Sequence, residues 1–192
     1  MKIFITGGSG MVGRNILEHP KTEEHEIIAP ARKDLDLLDR PSILNSLVNF
    51  KPDFVIHCAG RVGGIQANMA NPVAFLRDNT DIGLNVIEAS LKAGVTNFIN
   101  LGSSCIYPRD AKIPIVEESL LTDVLEKTNE PYAIAKIAAI KLCESYYQQY
   151  NNNFYSIMPC NMYGPRDNFD LKSSHVLPAL IRKVDQAKES GA

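Results

Sequence analysis

Hydrophobic residues along this chain fall into short apolar runs that alternate with longer segments of helical period. The apolar runs predict five strands, at about residues 2–6, 26–29, 53–58, 95–101 and 153–159. The segments between and after them predict helices at about residues 11–18, 41–50, 72–92, 131–150 and 174–188. The last of these helices is expected to be interrupted or kinked at Pro178.

Strands that alternate with helices are typical of a parallel sheet with helices on both faces. We therefore expect an α/β fold, a doubly wound sheet of the Rossmann type, in which residues 1–192 form a single domain. Residues 108–130 are the longest stretch without a regular period. Such stretches in compact domains usually carry function or are partly disordered.

The composition is that of an ordinary globular protein. With 192 residues the chain is long enough for one well-packed domain and marginal for two. A net charge of -2 provides no basic field for nucleic acid, and no apolar run approaches the roughly 20 residues that span a bilayer. The chain enters a glycine loop too soon after Met1 for a secretory signal. These features indicate a cytoplasmic enzyme or binding domain that needs no membrane.

The four cysteines, Cys58, Cys105, Cys143 and Cys160, are scattered and form no CxxC motif. This spacing favours reduced thiols over a metal site or a disulfide framework. We expect Cys58, Cys143 and Cys160 to pack in the core.

A glycine loop follows the first predicted strand and opens the first predicted helix. Gly7, Gly10 and Gly13 are three residues apart, with Met11 and Val12 between the last two. Glycine permits a positive φ and lets the backbone approach a pyrophosphate closely, and a helix N-terminus presents free N–H groups to phosphates. A tight turn alone also accounts for the glycines, but the strand–turn–helix context favours a dinucleotide site.

The end of the second strand favours NADP (NADPH) over NAD as the cofactor. An NAD site usually has an acidic residue there for the ribose hydroxyls, whereas an NADP site needs cations for the extra phosphate. Here Arg32 and Lys33 precede the first acid, Asp34. Arg32 is the first candidate for the phosphate and Lys33 the second, with a solvated basic loop as the alternative.

A tyrosine and a lysine in the fourth predicted helix suggest catalysis. Tyr132 and Lys136 are four residues apart and therefore share one helix face. A lysine cation is expected to lower the pKa of the phenol, so that it can exchange a proton with a carbonyl or an alcohol. Ser103, at the end of the fourth strand, can hold the same oxygen. A YxxxK pair alone is usually surface helix, but the glycine loop and the serine favour a catalytic role.

These motifs together resemble the extended short-chain dehydrogenase/reductase family. Within that family, longer sequence strings resemble the GDP-L-fucose synthases. These strings are RVGGI at 61–65, GSSCIYP at 102–108, NEPYAIAK at 129–136, NMYGP at 161–165, DNF at 167–169 and SHVLPAL at 174–180. The likeness extends over essentially the whole chain. It implies an NADPH-dependent 3,5-epimerisation and 4-reduction of GDP-4-keto-6-deoxy-D-mannose to GDP-L-fucose.

The resemblance also implies roles for individual residues. It assigns the reduction to Ser103, Tyr132 and Lys136, and the acid/base chemistry of epimerisation to Cys105 and His175. The cofactor positions that it implies, besides those of the glycine loop, are Asp36 against the adenine, Ala59, Gly60, Asn79 and Lys136. From the residues alone, Cys105 can equally be a small buried side chain and His175 a residue of a first helical turn.

The chain departs from the family pattern in two ways. Ser9 stands where relatives often have a basic residue, which leaves more of the phosphate contact to Arg32. Family members continue beyond residue 192 into a region that supplies much of the GDP-sugar site, so we expect a C-terminally truncated chain whose substrate region is largely missing.

Two alternative functions remain open. The chain can be another nucleotide-sugar epimerase, dehydratase or reductase, or it can be an NADP-binding fragment without turnover. A dehydratase more typically has an acidic pair after the strand-end serine, where this chain has Ser104 and Cys105. The family commonly dimerises through two helices, so residues 72–92 and 131–150 are candidates for a homodimer interface. Their apolar faces can equally be ordinary core faces.

Overall fold

The structure, a computed structural model, describes residues 1–171 and 173–191. The strands are β1 (Lys2–Thr6), β2 (Glu26–Ile28), β3 (Phe54–His57), β4 (Asn97–Leu101) and β5 (Asn153–Ile157). The α-helices are α1 (Met11–Leu17), α2 (Arg40–Phe50), α3 (Ile65–Ala70), α4 (Pro72–Lys92), α5 (Glu130–Tyr150) and α6 (Val176–Ser190). Short 3₁₀ turns lie at Pro20–Glu24, Ser104–Ile106 and Glu117–Ser119.

The five strands form one parallel sheet in the order β2-β1-β3-β4-β5. Strand β2 lies on one side of β1, whereas β3, β4 and β5 follow one another on the other side of β1. Because crossovers between parallel strands are right-handed, α1 covers one face, and α2, α4 and α5 cover the other. These last three helices pack side by side. The predicted doubly wound parallel sheet is confirmed.

The core lies between the sheet and the layer of α2, α4 and α5. Phe4, Val55, Phe98 and Phe154 are neighbours in register on successive strands, and all four are buried. The rings of Phe98 and Phe154 stack with centroids 5.1 Å apart. Burying each such side chain stabilises the fold by about 1.5–3 kcal/mol. This apolar row lies two or three residues before the carboxyl ends of the strands and anchors them there.

Helices α4 and α5 approach each other closely because both have small residues at the contact. A Cβ at Gly83 would lie 3.2 Å from the Cβ of Ala139. Pro72 and Pro131 fall in the first turns of the two helices, where a missing N–H costs nothing. Helix α5 ends at Tyr150 and is capped by Asn151, which takes a left-handed conformation with φ 56°.

The structure corrects two sequence expectations. The last helix is not interrupted at Pro178, because it begins at Val176 and so Pro178 lies in its first turn. Cys143 is buried as expected, but Cys160 is exposed and Cys58 is only partly buried, so the predicted core packing is wrong for Cys160. The six-residue helix α3 is too short to produce a period and was not predicted.

Residues 108–129 are irregular as predicted, apart from the turn at Glu117–Ser119, and residue 130 already belongs to α5. In the part of the chain that the structure describes, no helix combines the length and the apolar character needed to cross a membrane.

Candidate active site

The glycine loop folds into a narrow cradle between β1, α1 and the segment after β3. Gly7 has φ 75°, and a Cβ there would lie 2.7 Å from the amide nitrogen of Ala59. A Cβ at Gly13 would lie 2.3 Å from the carbonyl oxygen of Gly7. Since real Cβ atoms do not approach other atoms this closely, glycine is required at both positions. Gly10 is exposed, and Met11 and Val12 beside it are partly buried.

Ala59 and Gly60 connect this cradle to the side chains expected to be catalytic. A Cβ at Gly60 would lie 3.0 Å from Oδ1 of Asn79 and 3.7 Å from Nζ of Lys136. The backbone at Gly60 therefore lies against both side chains, and a larger residue would crowd the Asn79 amide.

The cations that follow β2 remain available to a ligand. Arg32, Lys33 and Asp36 are all exposed. Within residues 1–171 and 173–191, no ion pair engages Arg32 or Lys33. Oδ1 of Asp36 accepts a hydrogen bond from the backbone N–H of Leu38 at 3.0 Å.

Tyr132 and Lys136 share one face of α5, as their spacing predicts. Nζ of Lys136 lies 5.8 Å from the centroid of the Tyr132 ring. It donates a hydrogen bond to the backbone carbonyl of Leu101, the last residue of β4, at 2.8 Å. Lys136 is only 8% exposed. The ammonium group is therefore fixed between the helix and the carboxyl end of the strand.

Ser103 and Cys105 complete the cluster from the segment after β4. The Cys105 thiol donates to the hydroxyl oxygen of Ser103 at 3.2 Å. The Ser103 hydroxyl also lies close enough to the Tyr132 phenol to oppose the rise in the phenol's pKa. Four polar groups thus meet at one point: the serine and tyrosine hydroxyls, the thiol and the ammonium.

Burial determines the protonation of these groups. It raises the pKa of Tyr132, an effect larger than that of any neighbouring side chain. The expectation that Lys136 lowers this pKa is wrong here, because the ammonium faces the ring and the Leu101 carbonyl. Burial also raises the pKa of Cys105, with Ser103 and Lys136 opposing the rise. Both groups therefore hold their protons at neutral pH and can act as proton donors.

Lys136 should make the stability of the fold depend on pH. Burial lowers its pKa from 10.5 to about 8. Between these values the unfolded chain binds more protons than the folded chain, so the free energy of unfolding rises with pH. We expect the rise to approach about 1.4 kcal/mol per pH unit within this window. Urea unfolding from pH 7.5 to 10 should show it in the wild type relative to Lys136→Met.

Comparison with the methionine variant cancels the contributions of groups that both proteins share. Lys141→Met, which removes an exposed lysine from the same helix, is the matched control and should follow the wild type. Parallel pH profiles for the wild type and Lys136→Met would contradict the lowered pKa.

Asn79 is buried in α4 and uses its amide on the backbone. Its Nδ2 donates to the carbonyls of Phe75 at 2.7 Å and Arg61 at 3.0 Å, and its Oδ1 accepts from the N–H of Arg61 at 2.8 Å. The Arg61 side chain pairs with Asp78 at 2.7 Å. Asn79 therefore holds the segment after β3 onto α4, and its direct contact with a cofactor stays a prediction.

His175 is the N-cap residue of α6 and is exposed. The residues just before it lie against the segment after Arg61, since the N–H of Gly64 donates to the carbonyl of Ser173 at 3.2 Å. In the part of the chain that the structure describes, no contact joins the His175 ring to Cys105. Their pairing as acid and base stays a prediction.

Sequence reasoning missed Phe75, which links these parts of the site. Its ring meets that of Tyr132 edge-on with centroids 6.3 Å apart. A Cβ at Gly63 would lie 3.3 Å from Cζ of the same ring. Phe75 belongs to the apolar face of a long helix, and nothing in its spacing distinguishes it from the core residues beside it.

Comparisons with known proteins agree with this geometry. A model of the NAD dependent epimerase/dehydratase family matches residues 3–191. A GDP-L-fucose synthase from Sinorhizobium fredii is 52% identical over 97% of this chain and 60% of its own length. A GDP-L-colitose synthase from Yersinia pseudotuberculosis is 47% identical over 100% of this chain and 62% of its own. The chain thus spans about 60% of the length of the curated relatives it matches.

Solved structures show the same similarity. A GDP-L-fucose synthetase from Naegleria fowleri bound to NADP superposes with a TM-score of 0.89 at 31% identity, covering 100% of this chain and 59% of that one. A GDP-D-glycero-L-gluco-heptose synthase from Campylobacter jejuni, determined in the presence of NADPH, superposes with a TM-score of 0.92 at 36% identity. That superposition covers 97% of this chain and 55% of the other.

Proposed function

The chain belongs to the NAD dependent epimerase/dehydratase family, and we propose that it carries the NADP-binding and catalytic part of a GDP-L-fucose synthase. The reaction is the NADPH-dependent 3,5-epimerisation and 4-reduction of GDP-4-keto-6-deoxy-D-mannose. One observation carries the proposal: Ser103, Cys105, Tyr132 and Lys136 meet at the end of β4, next to the glycine cradle. The relatives' names support the GDP-sugar as substrate.

The residues of the cradle fit a dinucleotide. A Cβ at Gly7 or Gly13 would collide with the backbone that forms the cradle, so only glycine allows the tight turn that presents this backbone to a pyrophosphate, and Gly10, Met11 and Val12 complete the loop. Arg32, followed by Lys33, would bind the 2′-phosphate. Asp36 would meet the adenine, and the remaining cofactor positions would be Ala59, Gly60, Asn79 and Lys136. When bound, NADPH supplies the hydride that C4 of the sugar receives.

The reduction needs one proton besides that hydride. The Tyr132 phenol, which burial keeps protonated, donates it to the C4 oxygen, and the carbonyl becomes an alcohol. Ser103 donates a hydrogen bond to the same oxygen. Ser103, which opposes the rise in the phenol's pKa, stabilises the phenolate that remains. Water then returns a proton to Tyr132.

Epimerisation uses the same oxygen in a different way. C3 and C5 lie next to the C4 ketone, so removal of a proton from either leaves an enolate, whose oxygen Ser103 and Tyr132 hold. His175 would remove the proton from one face. Cys105, protonated and hydrogen-bonded to Ser103, would return one on the opposite face. Each inversion moves one proton onto His175 and takes one from Cys105, and exchange with water restores both groups before the next inversion. The redox state does not change.

A second candidate is another GDP-sugar epimerase or reductase. It is favoured by the Yersinia and Campylobacter relatives, whose names give other GDP-sugars.

We further propose that residues 1–192 form one domain of a cytoplasmic protein. Within this range, Lys172 and Ala192 lie outside the residues that the structure describes. A homodimer would form through the outer faces of α4 and α5, where Val73, Leu76 and Ile134 are exposed.

The test is to mix the chain with NADPH and GDP-4-keto-6-deoxy-D-mannose and to follow NADPH absorbance. In deuterium oxide without NADPH, uptake of deuterium at C3 and C5 measures epimerisation separately. We expect the wild type to show both NADPH oxidation and deuterium uptake. The Cys105→Ala variant should lose most of the deuterium uptake. Cys160→Ala, at an exposed cysteine, is the control and should behave like the wild type.

Other outcomes would change the proposal. Turnover only with a different GDP-4-keto sugar would favour the second candidate. Bound NADPH without oxidation or deuterium uptake would leave an NADP-binding fragment without turnover.

A further inference from the structure

A row of polar side chains crosses the sheet at the carboxyl ends of its strands. Thr6, His57, Asn100 and Ser156 are neighbours in register on β1, β3, β4 and β5. Each follows a residue of the buried apolar row by two positions and so points to the same face. Thr6, His57 and Asn100 are all buried. Buried polar groups require hydrogen-bond partners, so the contacts within this row are informative.

The row contains a link to the glycine cradle. The Thr6 hydroxyl lies 2.6 Å from Nδ1 of His57. The same hydroxyl oxygen accepts a hydrogen bond from the backbone N–H of Ala59 at 3.4 Å. The His57 ring is itself held against Phe98, with centroids 6.2 Å apart. Thr6 therefore connects the end of β1 with Ala59, two residues after the end of β3.

The direction of the short hydrogen bond follows from the partners. The Thr6 oxygen already accepts from Ala59, and its proton needs an acceptor. Among the described residues, Nδ1 of His57 is the acceptor in reach. The imidazole is then neutral and has its proton on Nε2. Burial, together with the nearby Lys136 cation, lowers the pKa of His57 to about 3, so the ring keeps this form at neutral pH.

Ala59 is the residue against which Gly7 packs. The nearest atom to a Cβ built on Gly7 is the amide nitrogen of Ala59, the same group that donates to Thr6. The spacing between the two sides of the cradle therefore depends on the Thr6–Ala59 bond. That bond in turn depends on the orientation of the Thr6 hydroxyl, which His57 fixes.

We propose that His57 is a positioning residue, which holds the glycine loop against the segment after β3 through the hydroxyl of Thr6. The proposal deepens the proposed function, since it concerns the NADP site. The role of His57 is geometric, and His57 takes no part in proton transfer. His57 acts on the glycine cradle through its hydrogen bond with Thr6.

The test combines a measurement without cofactor and a measurement with it. Hydrogen–deuterium exchange at the Ala59 amide should become about 5–10-fold faster in His57→Leu and in Thr6→Val, the effect of losing one net hydrogen bond. The Kd for NADPH, measured by titration, should rise by a similar factor of about 5–10. His57→Asn, whose amide oxygen can replace Nδ1 as the acceptor, should restore both to within about twofold of the wild type. The double variant Thr6→Val/His57→Leu should be no worse than either single variant.

Val55→Ala is the matched control, because Val55 is buried on the same strand and the same face as His57. Val55→Ala should lower the free energy of unfolding. The exchange rate of the Ala59 amide, corrected for that change in global stability, and the Kd for NADPH should both stay unchanged. Unchanged exchange in His57→Leu, or an equal effect in Val55→Ala, would overturn the proposal. A wild-type chain that fails to bind NADPH would refute the proposed function instead, and the exchange experiment would still decide the role of His57.

Discussion

Replacing Tyr132 with phenylalanine is expected to lower kcat for ketone reduction by about a thousandfold, while the Kd for NADPH stays within about twofold. The variant keeps the aromatic ring, which packs against Phe75 and lies beside the Lys136 ammonium. It loses only the hydroxyl. Because burial holds that hydroxyl in its protonated form, the variant lacks the group that delivers a proton to the developing alkoxide.

Stopped-flow absorbance of NADPH, with the enzyme in excess over the GDP-sugar, measures this step directly. Tyr155→Phe, at an exposed tyrosine of β5, is the matched control and should react like the wild type. Deuterium uptake at C3 and C5 should fall less than reduction, since Ser103 still holds the enolate oxygen. A reduction rate within tenfold of the wild type would assign the proton to another donor, Ser103 or Cys105.

Replacing Gly13 with alanine should weaken NADPH binding by more than about a hundredfold, since the two sides of the cradle can no longer close on the pyrophosphate. The new Cβ would lie 2.3 Å from the carbonyl oxygen of Gly7 and 2.7 Å from Cα of Gly8. Both are backbone atoms, so the loop itself must move. Overpacking of this kind also costs about 1–3 kcal/mol of stability. Titration with NADPH and urea unfolding separate the two effects.

Two other glycines provide controls for this prediction. Gly164 has no atom within 4 Å of a built Cβ, so Gly164→Ala should bind NADPH normally. Gly94 has φ 78° and equally open surroundings, so Gly94→Ala should lose about 1 kcal/mol of stability through backbone strain alone. If Gly13→Ala bound NADPH no worse than Gly94→Ala does, the cofactor would not lie in this cradle.

Most of the scaffold was predictable from the sequence, because each strand is a compact apolar run and the long helices have clear boundaries. Helix α4 occupies Pro72–Lys92, the range predicted, since a proline begins it and its apolar face has a regular period. The glycine loop and the pair of Tyr132 and Lys136 were equally visible. In these motifs the spacing along the chain itself determines which groups share a turn or a helix face.

The remaining features depend on contacts between distant segments. Asn79 reaches the backbone of Arg61 across 18 positions, and His57 meets Thr6 across 51. No local pattern encodes either contact. The pKa of Tyr132 was predicted in the wrong direction because its burial results from packing, which the YxxxK spacing does not reveal. His175 is similar: its place in the sequence gives no distance to Cys105.

On the ribosome, the strand order β2-β1-β3-β4-β5 lets the sheet grow from the N-terminal strands towards one edge. Proteins are synthesised N-terminus first, at about 5–20 residues per second. Once β3 has paired with β1, each later strand adds to the edge left by the one before it. The cradle is made entirely from residues 1–60, so it precedes Tyr132 and Lys136 out of the exit tunnel. We therefore expect cellular NADP to stabilise the nascent chain by mass action, and cofactor supply to influence the yield of folded protein as well as its turnover.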